Sequence, residues 1–176
     1  MAFIPPPDEW VRSHVEDIPN QVVNFSGDLS NLEILDIGCG DMLGNVGFLS
    51  RGVKHLTGLD LHTDGDVVER TSRRVRDAGF SVADDYRSRL SYVSYDGVKF
   101  PFHENQFDFV MSWSAFEHIP AVLEVLREAR RVVRPQGRVF IQVYPWFHSF
   151  WGSHLTDYIE EPYFHLRRPP EWCGPS

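Results

Sequence analysis

The sequence has few of the features that mark secreted, membrane-bound or metal-binding proteins. It contains two cysteines, Cys39 and Cys173, which are too few for a disulfide framework and lack the spacing of a metal site. No apolar run approaches the length that crosses a bilayer, and the opening stretch MAFIPPPDEW has neither a basic start nor a long apolar segment. We therefore expect no signal peptide, no membrane association, no bound metal and a cytoplasmic location.

Positive charge is also scarce. The chain has 17 lysines and arginines against 25 aspartates and glutamates, a formal net charge of −8. This balance disfavours broad attraction to nucleic acid or to an anionic membrane, so we expect a small or neutral partner. The 176 residues, of which 42% are hydrophobic, are enough for one globular domain with a buried core.

Strand-like and helix-like segments alternate along the chain. Short apolar runs that end at glycine or at an acid predict parallel strands, and amphipathic segments that end at glycine or proline predict helices. Together they predict an α/β fold with a parallel sheet and right-handed crossovers. The expected strands are 32–37, 53–60, 90–96, 107–113 and 137–144, and the expected helices are 44–52, 66–79 and 121–135, with a short helix within 9–25.

The chain divides into three parts by composition. Residues 1–31 form a proline-stiffened entry segment, helical and extended, and residues 32–144 form the α/β core. Residues 145–176 form a tail dense in aromatic side chains, which rarely stay exposed in a disordered segment. We expect this tail to line an acceptor pocket or to dock a partner, including a second copy of the chain.

Glycines and acids crowd the turn that follows the first strand. Gly38, Gly40 and Gly44 give the spacing G-x-G-x-x-x-G, which misses the dinucleotide pattern G-x-G-x-x-G by one residue. The same turn carries Asp36 and Asp41, which would repel a pyrophosphate and attract an ammonium or a sulfonium. The turn therefore favours a cationic ligand that contains adenosine.

Four blocks of the sequence resemble the class I S-adenosylmethionine-dependent methyltransferases, in the order of that family. LDIGCGD resembles its motif I and GLD at 58–60 resembles the end of its second strand. SYDGVKFPFHENQFDFVMSWSAFEHI at 94–119 and LREARRVVRPQGRVFI at 126–141 resemble the segments up to strands 4 and 5. The resemblance implies a Rossmann-like, doubly wound sheet, S-adenosylmethionine as the cofactor and methyl transfer as the activity.

The resemblance also implies which residues contact the cofactor. The acid before the glycine turn and the turn itself are expected to hold the methionyl end. The acid that ends strand 2 is expected to hold the ribose, and the first acid after strand 3 the adenine. The expected cofactor-binding residues are Asp36, Gly38, Cys39, Gly40, Asp60, Leu61, Asp96, Gly97, Ser112 and Trp113.

The sequence departs from the family in two places. Met42 stands where the third glycine is expected, and we expect its side chain to cover the methionyl group. The family's sheet usually has seven strands, whereas only 33 residues follow Val143 and show no clear hairpin. We therefore expect a sheet that lacks the last strands, either in a minimal variant or in a piece of a longer protein.

Glu117 and His118 follow strand 4, on the side where methyl acceptors usually lie. Transfer to a hydroxyl needs a base, and histidine is suited to that role near neutral pH. An equally good interpretation is that the pair starts a helix and packs the loop, since related enzymes carry EH or HH here whatever their acceptor.

Three functions follow for testing. The first is an S-adenosylmethionine-dependent methyltransferase with a small-molecule acceptor. The second is a non-catalytic subunit, or a fragment that acts in an assembly. The third, a nucleotide-dependent oxidoreductase, rests on the fold alone and conflicts with the glycine spacing.

Overall fold

The computed structural model describes residues 7–62, 65–144, 150 and 161–167. The chain divides into two compact units, residues 5–142 and residues 1–4 with 143–176. The larger unit contains the sheet and its helices.

The larger unit is built on a parallel sheet of five strands in the order β3-β2-β1-β4-β5. The chain therefore moves outward from β1 to β3, returns to the centre, and moves outward again to β5. The order reverses between β1 and β4, which makes this a doubly wound sheet and confirms the predicted fold. The strands are β1 (Glu33–Ile37), β2 (His55–Asp60), β3 (Leu90–Ser94), β4 (Phe107–Trp113) and β5 (Val133–Gln142).

Buried apolar side chains on both faces explain why these strands form a central sheet. In β1, Ile34 belongs to the main core cluster, while Leu35 and Ile37 alternate with it and are fully buried outside that cluster. Asp36 therefore shares the face of Ile34, which is the face covered by the N-terminal helices and α3. An acid at this position enters the core rather than solvent.

Helices connect the strands and cover the sheet. The chain begins with α1 (Pro7–Arg12), a π-helical turn (Ser13–Asp17) and α2 (Ile18–Ser26), in agreement with the predicted helix within 9–25. The 310 turn Phe116–His118 precedes α6. The remaining helices of this unit are α3 (Leu43–Leu49), α4 (Val67–Asp77), α5 (Tyr86–Arg89) and α6 (Val122–Val132), and α7 (Phe164–Arg167) belongs to the smaller unit.

The N-terminal helices pack closely against α3. A Cβ on Gly47 of α3 would lie 2.4 Å from the carbonyl oxygen of Val15, so a larger residue would push the two segments apart. Arg51 donates to the same carbonyl at 2.9 Å and to the side chain of Asn20 at 2.8 Å. These contacts fix the entry segment to the helix that follows the glycine turn.

The last strand begins earlier than the sequence predicted. Helix α6 ends at Val132 and β5 starts at Val133, four residues before the expected start at 137. The cause is Pro135, because the residue before a proline favours an extended backbone. Within the described residues β5 pairs with β4 alone, and its register shifts between Phe107↔Val133 and Phe109↔Arg138, so Pro135 lies in an irregularity where a proline is tolerated.

The smaller unit is described only in part. Tyr163 N–H donates to the carbonyl of Phe150 at 2.9 Å, and the two rings meet edge to face at 5.5 Å. Arg167 forms an ion pair with Glu161 at 3.1 Å. Most of the predicted aromatic tail, 145–149 and 151–160 among it, lies outside the described residues.

Candidate functional site

A cleft opens at the carboxyl ends of the strands, where the strand order reverses. Its volume of about 500 Å³ is within the range of small-molecule sites. One wall comes from the segments that follow β1, β2 and β3, and the other comes from residues 114–121 after β4. Ligands of open α/β sheets bind at this switch point, so the topology by itself indicates a ligand site here.

Glycine occupies two positions of the turn after β1 where the backbone is left-handed. Gly38 and Gly40 have φ angles of +73° and +52°, a left-handed region that other residues rarely adopt. A Cβ on Gly38 would lie 2.3 Å from the Cβ of Ala115, so the loop after β4 lies directly against the turn. A Cβ on Gly40 would meet nothing within 4 Å, so open space lies beside this residue.

Asp60, the last residue of β2, fixes the glycine turn. Gly40 N–H donates to its Oδ2 at 2.9 Å, and Leu61 N–H donates to its Oδ1 at 2.7 Å. Each carboxylate oxygen has a second lone pair, so Asp60 retains acceptor capacity for ligand hydroxyls. Asp60 and Leu61 both line the cleft, as Gly38 does.

The segment after β3 adds a second acid and a phenol to the same wall. Asp96 Oδ1 accepts from the N–H groups of Lys99 at 2.7 Å and Val98 at 2.9 Å, and these bonds lower the pKa of Asp96. Burial raises the pKa of Tyr95, and the nearby carboxylates of Asp60 and Asp96 raise it further. Tyr95 therefore stays a neutral phenol that can donate a hydrogen bond.

Side chains of helix α6 form hydrogen bonds with the backbone of the segment that follows β3. Phe100 N–H donates to Glu128 Oε2 at 2.8 Å, and Arg131 donates to the carbonyls of Phe100 at 3.1 Å and Phe102 at 2.8 Å. Gly97, which lines the cleft, has a φ of +86°. The cleft wall after β3 is therefore fixed by a charged pair on a neighbouring helix.

Asp36 is buried behind the turn and does not line the cleft. Its side chain is 6% exposed, and Oδ1 has no hydrogen-bond partner within the described residues. Burial raises the pKa of Asp36 to about 7, against an opposing effect of the Asn45 amide and with a smaller increase from Asp60. Burial, followed by the charges of Asp36 and Asp60, likewise raises the pKa of Cys39, so this thiol stays protonated.

Asp41 serves the fold of the turn. Its Oδ2 accepts from Arg74 of α4 at 2.9 Å, and its Oδ1 accepts from Leu43 N–H at 3.2 Å. Its carbonyl accepts from the hydroxyl of Thr71. The second acid of the turn therefore joins the glycine turn to α4, and the cleft-lining residues do not include it.

The structure separates the two predicted catalytic residues. His118 lines the cleft, whereas Glu117 does not, and its Oε2 is buried without a hydrogen-bond partner among the described residues. The 310 turn explains this, because neighbouring residues of such a turn point about 120° apart. Only His118 is placed to meet a molecule in the cleft.

Ser112 and Trp113, predicted as cofactor contacts, do not line the cleft described here. Ser112 is fully buried, and its Oγ donates to the carbonyl of Ile37 at 2.8 Å, which joins β4 to the end of β1. The Trp113 ring stacks on Phe140 with centroids 6.4 Å apart. Both residues therefore support the sheet behind the cleft.

The structure also corrects the expectation that Met42 covers the methionyl group. Met42 is 0% exposed and belongs to the main core cluster, so its side chain does not cover a group in the cleft. A Cβ on Gly58 would lie 3.1 Å from its Cε, which shows that Met42 packs over β2. Its own φ of +61° keeps the left-handed backbone that a glycine would have supplied at this point of the turn.

Most residues of the cleft wall after β4, residues 114–121, were not predicted from the sequence. Ser114 takes the place expected of Trp113, with its N–H and Oγ both donating to the side chain of Gln142, at 3.1 and 2.8 Å. Beyond it lie Ala115 and the run Ile119–Ala121. Small and apolar residues carry no chemical signal of their own, so only their position after β4 could have indicated them.

The chain belongs to a known family. The model of a methyltransferase domain matches residues 35–141, which contain both walls of the cleft. The family implies S-adenosylmethionine as the cofactor, in agreement with the expectation from the glycine turn and the strand-end acids.

Individual relatives match the chain over part of their length. A sterol 24-C-methyltransferase (ERG6B) of Gibberella zeae is 33% identical over 65% of this chain and 28% of its own length. A ubiquinone biosynthesis O-methyltransferase of Aeromonas salmonicida is 31% identical over 68% of this chain and 46% of its own length. A methyltransferase structure from Aquifex aeolicus has a TM-score of 0.55 at 20% identity, covering 78% of this chain and 72% of that one. The chain thus spans less than half of either curated relative.

The residues at the cleft fit the implied cofactor. Asp60 offers acceptors to a diol, Asp96 offers one to an amino group, and the open space beside Gly40 admits a ligand against the turn. Oδ1 of the buried Asp36 has no hydrogen-bond partner among the described residues, which suits a cationic group nearby. Across the described ranges, no three histidine, cysteine or acidic side chains gather as metal ligands would, and no helix has the length and apolar character to cross a membrane.

Proposed function

We propose that this chain transfers the methyl group of S-adenosylmethionine to a small-molecule acceptor by direct in-line displacement. The observation that carries the proposal is the hydrogen bond from Gly40 N–H to Oδ2 of Asp60, an acid that lines the cleft together with Asp96. One bond joins the two sequence blocks expected to hold the methionyl end and the ribose. The relatives act, by their names, on a sterol and in ubiquinone biosynthesis, which supports a small-molecule acceptor.

We assign the cofactor to the wall formed after β1, β2 and β3. Asp60 would accept the ribose hydroxyls and Asp96 the adenine amino group, while Leu61 and Gly97 would contact the adenine ring. The turn at Gly38 would approach the methionyl end, with Asp36 behind it.

The bound cofactor supplies an electrophilic methyl group, so the protein's task is to align an acceptor and exclude water. Residues 114–121 form the wall on which an acceptor would lie. Of Glu117 and His118, we assign the role of proton acceptor to His118, because it lines the cleft.

The experiment that tests cofactor binding is isothermal titration with S-adenosylhomocysteine. Asp60→Ala should weaken binding at least tenfold, because a charged hydrogen bond contributes roughly 1.5–3 kcal/mol and the turn also loses its anchor. The matched control is Asp77→Ala, an exposed acid at the end of α4 that does not line the cleft. Equal affinity in wild type and Asp60→Ala would refute the assignment, and so would a folded chain that does not bind.

A second candidate function is that of a non-catalytic subunit. It is favoured by the edge strand β5, where Val139 is 44% exposed and where the described residues include no further strand. Gel filtration separates the two candidates, since a monomer that methylates an acceptor would contradict the subunit.

A further inference from the structure

The acceptor side of the cleft has a distinct chemical character. Of residues 114–121, those described as lining the cleft are Ser114, Ala115, His118, Ile119, Pro120 and Ala121, and His118 is the titratable one among them, since Glu117 does not line the cleft. The hydroxyl of Ser114 already donates to Gln142 at 2.8 Å, so it is engaged within the protein. This wall offers an acceptor mainly apolar contact.

The charges that face this wall are negative. Asp60 and Asp96 line the opposite side, and the pKa of Asp96 is lowered by backbone hydrogen bonds, so it stays ionised. Among the described residues that line the cleft there is neither lysine nor arginine. A phosphate or carboxylate on the acceptor would therefore meet carboxylates and find no lysine or arginine among the described lining residues to pair with.

The apolar surface continues outside the cleft. Val122 and Leu123 follow directly in the first turn of α6, and they are 36% and 63% exposed. Exposed large apolar side chains are typical of a surface that a ligand or partner covers. An acceptor longer than the cleft would find these two apolar residues next to the wall in the chain.

From this placement we propose that the acceptor is an uncharged molecule with an apolar body, which lies on the wall Ala115–Ala121. The inference rests on the proposed function, since it assumes that the cofactor occupies the other wall. It excludes phosphorylated and carboxylated acceptors, which the fold and the family leave open.

A pair of probes with the same catechol group tests this proposal. Butyl 3,4-dihydroxybenzoate is neutral and apolar, whereas 3,4-dihydroxybenzoate is an anion at neutral pH. Each is titrated into the whole chain saturated with S-adenosylhomocysteine. We expect the ester to bind at least tenfold more tightly than the acid.

A charged substitution in the wall shows whether the preference arises in the cleft. Ala121→Arg adds a cation beside the acceptor. It should weaken binding of the ester and strengthen binding of the acid, so that the preference for the ester falls below threefold. Val139→Arg is the matched control, because Val139 is exposed on β5 and does not line the cleft; it should leave the preference unchanged.

The outcomes separate the two proposals. A chain that binds S-adenosylhomocysteine but binds the acid as well as the ester, or binds no ester, overturns the inference and leaves the proposed function standing. An ester preference that Val139→Arg changes as much as Ala121→Arg also overturns it. A folded chain that does not bind S-adenosylhomocysteine overturns the proposed function, and this inference with it.

Discussion

Replacement of Asp36 by asparagine should make the unliganded chain more stable, and increasingly so as the pH rises. The folded chain raises the pKa of this carboxyl from 3.8 to about 7, chiefly by burial. Between these values the folded chain keeps a proton that the unfolded chain has lost, so the free energy of unfolding falls as the pH rises. Asparagine does not titrate, so the free energy of unfolding of Asp36→Asn lacks this pH-dependent decrease.

The magnitude follows from the pKa shift. A rise from 3.8 to about 7 is roughly three units, and at about 1.36 kcal/mol per unit this gives up to about 4 kcal/mol. The difference in free energy of unfolding between Asp36→Asn and wild type should therefore be small near pH 4, widen up to pH 7, and stay constant above it. Titrating groups that do not interact with Asp36 are common to both chains and cancel in the difference.

Urea unfolding followed by tryptophan fluorescence at several pH values between 4 and 8 measures this difference. Asp77→Asn serves as the matched control, since it makes the same substitution at an exposed acid at the end of α4. A pH-independent difference for Asp36→Asn would show that Asp36 ionises with an ordinary pKa, and would refute the reasoning. Asp36→Asn should also weaken the binding of S-adenosylmethionine more than the binding of S-adenosylhomocysteine, because only S-adenosylmethionine carries a sulfonium charge.

Three further outcomes are expected. Gly38→Ala should abolish S-adenosylhomocysteine binding, because the added methyl group would meet the opposite loop at 2.3 Å, whereas Gly40→Ala, with nothing within 4 Å, should reduce it less; equal losses would contradict this. Arg74→Ala breaks a half-exposed ion pair with Asp41. Thermal unfolding should show a loss of stability below about 1 kcal/mol, and titration should show a several-fold weaker affinity for S-adenosylhomocysteine. Arg73→Ala is the control. Titration with NAD or NADP should show no binding, and micromolar affinity for either would contradict the assigned cofactor.

The sheet could be predicted because buried parallel strands appear in the sequence as short apolar runs. The strand-end acids Asp60 and Asp96 could be placed together for the same reason, since the carboxyl ends of parallel strands share one edge. The directions of individual side chains were predicted less well than the sheet. Ser112 faces into the sheet by strand alternation, and a single 310 turn sends His118 and Glu117 to different sides.

Long-range partners were also beyond the sequence pattern. Asp41 looks like a ligand-binding acid in its own turn, yet its partner Arg74 lies 33 residues further along the chain. Asn45 gives no signal of its own, although its amide acts on the buried Asp36. Such pairs depend on how α3 and α4 pack, which composition and spacing do not specify.

The hydrogen bonds of the glycine turn explain why its spacing differs from that of a dinucleotide fold. A turn that holds a pyrophosphate must direct free backbone N–H groups at the ligand. Here the N–H groups of Gly38 and Cys39 both donate to the carbonyl of Leu59, at 2.8 and 3.3 Å, and that of Gly40 donates to Asp60. These amides are used to join β1 to β2, and the acids around the turn are Asp36, Asp41 and Asp60. A turn with these groups disfavours phosphate, which agrees with its mismatch to the dinucleotide pattern and with the sulfonium cofactor that the family implies.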